Sequence, residues 1–81
     1  MDIDGTKDAL LREAGYRYHF DRMAYINHKE RKIFSVEAIE DNTADWLGER
    51  IREPNESGDW RFCFNDLPSE SVRRAFVAEL E

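Results

Sequence analysis

Between Tyr16 and Ile39 apolar and polar residues alternate with a period of two, and on either side of that stretch the period lengthens to three or four. Tyr16, Tyr18 and Phe20 alternate with Arg17, His19 and Asp21, a strand pattern that turns its aromatics toward a core. Asp21-Arg22 marks a turn, Ala24-Tyr25-Ile26-Asn27 a second strand, and His28-Lys29-Glu30-Arg31 a charged connector. A third strand begins near Lys32, along which Phe34, Val36 and Ala38 alternate with Ile33, Ser35 and Glu37. Three consecutive strands with short links predict a meander.

The flanks read as helices. Thr6 to Ala14 carries Leu10, Leu11 and Ala14 on one side, with Asp4 or Thr6 as N-cap and Gly15 placed to end it. Asn42 stands as N-cap of a helix from Thr43 to about Arg52, whose inward stripe is Ala44, Leu47 and Ile51 with Trp46 at its margin. Pro54-Asn55-Glu56-Ser57-Gly58 interrupts the pattern. Trp60, Phe62 and Phe64 then alternate with Arg61, Cys63 and Asn65, predicting a fourth strand from Asp59 to about Asn65. Ser69 caps a last helix with Val72, Ala75, Phe76 and Leu80 inward and Arg73 and Arg74 outside.

The expected fold is one α+β domain over residues 1–81, in the order α-β-β-β-α-β-α. Its four-stranded sheet is mixed or antiparallel, with the helices packed on one face. A helical crossover after the third strand brings the fourth back parallel to it, which favours the mixed sheet. The opposite face would then present Arg17, His19, Tyr25, Asn27, Ile33, Ser35, Glu37, Arg61, Cys63 and Asn65.

Charge narrows the range of partners. The net charge is -6, with seven Lys/Arg against six Asp/Glu in residues 1–36 and five against twelve in residues 37–81. The acidic second half repels phosphate, so polyanion binding would have to be confined to the first half. The single cysteine, Cys63, permits no internal disulfide. Met1-Asp2-Ile3-Asp4-Gly5 lacks a basic segment followed by an apolar one, and no stretch has the length of a membrane span. These features lead to the expectation of a soluble, cytoplasmic protein without membrane contact.

No chemical signature stands out. The glycines are isolated, which excludes a phosphate-binding loop, and His19 and His28 lack the close Cys/His spacings of zinc sites, so no metal and no cofactor is expected. A nucleophilic Cys63 would need His19 as its base. The pairs His19/Asp21 and His28/Glu30 read as surface ion pairs.

Two short resemblances can be traced. Tyr25-Ile26-Asn27-His28-Lys29-Glu30-Arg31 resembles the second strand and following loop of WW domains. Ser35 stands where that family's groove-forming second tryptophan belongs, so the clamp for a polyproline ligand lacks a wall. The helix-strand-strand-strand-helix order of residues 6–52 is similar to that of double-stranded-RNA-binding domains, but Asn42-Thr43-Ala44-Asp45 replaces that family's phosphate-holding lysine cluster. Neither resemblance assigns a function.

The leading expectation is a non-enzymatic protein-binding or accessory module. It would use Arg17, Tyr25, Asn27 and Arg61 on the exposed sheet face to hold a protein partner or a second copy. The alternative is nucleic-acid binding through the basic turn formed by His28, Lys29, Arg31 and Lys32, and the third is a small enzyme using Cys63 and His19.

Overall fold

The computed structural model describes residues 3–81. Helix α1 (Gly5–Glu13) starts at Asp4, whose carboxylate accepts a hydrogen bond from the Lys7 amide at 2.9 Å and so satisfies one unpaired donor of the first turn. Just past its end Gly15 has φ +99°, a region that glycine enters without a side-chain clash. A β-carbon there would meet Nδ2 of Asn27 at 3.4 Å. That amide donates to the Ala14 carbonyl at 3.1 Å, while Oδ1 of Asn27 accepts from the Glu30 amide at 2.9 Å. One buried side chain thereby ties the turn after α1 to the turn at residues 28–31.

The expected meander and mixed sheet are found. Strands β1 (Arg17–His19), β2 (Ala24–Asn27) and β3 (Lys32–Ser35) pair antiparallel in succession, and β4 (Arg61–Cys63) lies parallel to β3 at the edge. A 3₁₀ turn (Phe20–Arg22) joins β1 to β2. Beyond β3 come α2 (Val36–Asp41) and α3 (Ala44–Arg52), and α4 (Glu70–Leu80) follows β4.

Helix α2 replaces the second half of the expected third strand. Ser35 ends β3 and its hydroxyl accepts from the Ala38 amide at 3.1 Å, so the chain turns helical and buries Val36, Ala38 and Ile39. Thr43, rather than Asn42, caps α3, accepting from the Trp46 amide at 3.1 Å. Asn42 donates instead to the Ala38 carbonyl at the end of α2, at 2.7 Å.

The register sorts the sheet differently from the expected sorting. Tyr18, Tyr25, Phe34 and Cys63 are cross-strand neighbours on one face, and Arg17, Ile26, Ile33 and Phe62 on the other. The first face packs with Leu11 of α1, Val36 and Ile39 of α2 and Leu47 of α3 into one buried cluster. The second face, with Ala24, Ile26 and Ile33 buried, packs against Phe76 and Leu80 of α4. The helices therefore cover both faces, which corrects the expectation of a single helical layer. Alternation separates two faces of a strand but does not say which is covered when both are.

Helix α4 begins at Ser69 as expected, but its inner side is rotated. Val72 and Ala75 are exposed, Arg73 is half-buried with its guanidinium donating to the Pro68 carbonyl, and no residue of the helix is fully buried.

Two lysines end helices from outside them. Nζ of Lys7 donates to the carbonyls of Ile39 (2.8 Å) and Asn42 (2.7 Å) at the end of α2. Lys32, with no exposed surface, donates to the carbonyls of Arg50, Ile51 (3.1 Å) and Glu53 (2.8 Å) at the end of α3. Each ammonium meets the negative end of a helix where carbonyls lack intrahelical donors.

Candidate functional site

The residues expected to form an exposed contact face are dispersed. Arg17 is exposed on the α4 side of the sheet, whereas Tyr25 is only 4% exposed and looks into the three-helix cluster. Asn27 is buried between the two turns, and Arg61 bonds the Glu53 carboxylate at 2.8 Å beside the end of α3. This corrects the sorting that set Tyr25 and Arg61 opposite Phe34. The parity of β2 follows from its register with Phe34.

The Tyr25 hydroxyl donates to Oδ1 of Asp8 at 2.7 Å. This bond, ahead of the nearby Arg12, holds the Asp8 carboxyl below its usual range, while burial and then Asp8 push Tyr25 up to about 12 from an ordinary value of 10.0. A tyrosine raised in this way contributes stability that is complete below its unfolded value and disappears as pH climbs through the folded one. Urea midpoints should therefore fall between pH 10.0 and about 12. In Tyr25→Phe that fall should be shallower by about one proton's linkage, and stability at neutral pH lower by about 1 kcal/mol. An unchanged alkaline slope would refute the assignment.

Cys63 and His19 lie on opposite faces of the sheet, so the pair that cysteine chemistry would require does not form. Cys63 is buried, and desolvation pushes its thiol pKa up, away from the reactive thiolate. The basic turn is also depleted. Lys32 is buried, Arg31 donates to the Gly58 carbonyl at 2.9 Å, and His28 meets the Trp60 ring edge-on at 5.5 Å. Lys29 remains exposed beside it.

A concavity of about 530 Å³ opens between the 3₁₀ turn, α2 and the exit of β4. Local structure accounts for its shape. Met23 takes a left-handed conformation at φ 51° after the 3₁₀ turn, and its carbonyl accepts from the Val36 amide at 3.0 Å, holding the hairpin against the start of α2. The Ser35 cap lays Glu37 and Glu40 along the cleft. Asn65 donates to Asp41 at 2.8 Å and accepts from Asn42 at 3.2 Å, anchoring the chain as it leaves β4. Met23, Val36 and Phe64 provide apolar lining, and Glu37, Glu40 and Asp66 provide carboxylates.

Arg22 is the one lysine or arginine in the lining, and its guanidinium is held at 3.0 Å by Asp21 and at 3.0 Å by Glu79. At the lip Met23 is 50% exposed, and Phe20 of the same turn is 79% exposed with its ring edge-on to Tyr18. The alternation from Tyr16 points Phe20 at the core. The 3₁₀ turn instead ends the strand at His19 and leaves Phe20 in solvent. Sequence reading missed this cleft because its walls come from three elements. The available signal was Ser35, a cap residue followed by acidic Glu37 in a first helical turn.

No family model matches the chain, and no curated protein or solved structure matches it significantly. Among the described residues no helix is long and apolar enough to cross a membrane, and no three metal-ligating side chains converge.

Proposed function

We propose that this chain is a protein-recognition module that seats a segment of its partner in the cleft between the 3₁₀ turn, α2 and the exit of β4. The observation that carries this reading is Met23, half in solvent in a concavity lined also by Val36 and Phe64, with the exposed Phe20 ring on the 3₁₀ turn that precedes it. Such side chains beside a recess are the usual anchors of an interface, and burying them supplies its driving force. A free, buried cysteine suits a reducing, cytoplasmic setting for the module.

The test is a double substitution, Phe20→Ser with Met23→Asn, asparagine being at ease in the left-handed conformation that Met23 adopts. Because both side chains are exposed, the change should leave folding stability within about 0.5 kcal/mol. Affinity capture on the native chain should yield a partner that the folded double variant does not hold. A partner held equally by both would place the contact elsewhere, and sedimentation showing a dimer lost in the variant would make the partner a second copy.

A further inference from the structure

Resting on that reading of the cleft, we infer that its occupant is a basic protein segment: one large apolar residue with lysine or arginine close by in sequence. The lining supplies both halves of this recognition. Met23, Val36 and Phe64 form an apolar surface in a recess of about 530 Å³, within the range of concavities that hold drug-sized groups and ample for a single large side chain.

Around that surface carboxylates outnumber the one cation, Arg22. Glu37, Glu40 and Asp66 line the cleft, and the side chains of Glu37 and Asp66 make no hydrogen bond or ion pair among the described residues. Arg22 does not offset them, because Asp21 and Glu79 already neutralise its guanidinium. An arriving cation therefore meets the unpaired carboxylates of Glu37 and Asp66, and meets them beside apolar surface, where the attraction is stronger than in open water. The methylene stems of lysine or arginine can lie along Phe64 and Met23 while their charges reach the carboxylates of the lining.

Other occupants fit less well. Phosphate backbones are repelled by the same carboxylates. A second copy carries exposed apolar residues beside arginine at Phe20 and Met23 next to Arg22 and at Val72 next to Arg73 and Arg74, but those arginines are already held by Asp21 and Glu79, by the Pro68 carbonyl and by Glu70.

A random peptide library displayed on phage and selected against the intact chain tests the inference with the natural partner still unidentified. Recovered peptides are titrated into the chain at low and high salt while amide resonances are followed. The expected result is enrichment of peptides that join a large apolar residue to lysine or arginine, shifts centred on Met23, Val36 and Phe64, and affinity that falls with salt. Glu37→Gln with Asp66→Asn should weaken those peptides roughly tenfold without altering the fold.

Neutral or acidic peptides that move the same resonances would overturn the basic partner and leave the cleft standing as a docking site. Peptides that move other resonances only, or no enrichment at all, would overturn both. Self-association of the chain abolished by the double variant would replace the foreign segment with a second copy.

Discussion

Phe34→Ala is expected to destabilise the fold by about 3–5 kcal/mol, the range for emptying a fully enclosed aromatic site. Phe34 has no exposed surface and sits on an inner strand, facing Tyr25 on β2 and Cys63 on β4. Its ring meets Tyr16 edge-on at 5.3 Å and Trp46 at 6.2 Å, so α3 and the chain entering β1 both rest on it. For an 81-residue domain, whose whole stability is about 4–12 kcal/mol, this is a large fraction of the total.

Phe76→Ala makes the instructive comparison. Its ring meets Phe62 at 5.8 Å, but it lies on a helix with no fully buried residue, and its loss should cost about 1–2 kcal/mol. Urea unfolding of both variants, followed by circular dichroism, gives the two values. Equal losses would show that the two faces of the sheet contribute alike.

Lys32→Met is expected to cost about 2–4 kcal/mol even though it removes a buried charge, because three backbone carbonyls lose their donor. Two effects oppose each other here. Desolvation penalises the ammonium, and burial pushes its pKa below the ordinary lysine range. Replacing a buried ion pair by apolar residues can be neutral or favourable when both partners are removed. At Lys32 only the donor is removed, while the carbonyls of Arg50, Ile51 and Glu53 stay where α3 ends.

The lowered pKa compares a charged amine with a neutral one, and does not measure an amine against a methyl group. Methionine matches lysine closely in length, so the substitution isolates the hydrogen bonds from the packing. Lys7→Met, at a half-buried site with two carbonyls, should cost about 1 kcal/mol, since water can reach the groups left behind. A Lys32→Met chain as stable as the parent would mean that desolvation of the ammonium outweighs its three bonds.

What was legible in the sequence was local. Ser69 caps the last helix as expected, Asp4 proves to be the cap of the first out of Asp4 and Thr6, Gly15 ends that helix, and the meander and the parallel fourth strand follow from short links and a helical crossover. What was hidden depends on partners far along the chain. All four residues of β2 are buried, so alternation within it carries no sign, and only the register with Phe34 turns Tyr25 toward α1.

The same ambiguity sets Phe62 beside Phe34 when alternation alone is followed, but Phe62 pairs with Ile33 and faces α4. Val36, Ala38 and Ile39 satisfy a strand period and a helical one about equally, and the Ser35 cap decides between them. The burial of Lys32 has no local mark, because the carbonyls that receive it lie on α3 and just beyond. The candidate cleft was invisible in the same way, its carboxylates coming from α2 and from the segment after β4.

Asn27 has a consequence for how this chain can vary. Its one amide serves the Ala14 carbonyl on one side and the Glu30 amide on the other, with Gly15 close against it. The two turns it joins are distant in sequence yet are held by one side chain. A residue inserted after Ala14 would carry that carbonyl away from the Asn27 amide nitrogen, and a lengthened hairpin would carry the Glu30 amide away from its oxygen, so a change in either loop leaves half of this buried side chain without its partner.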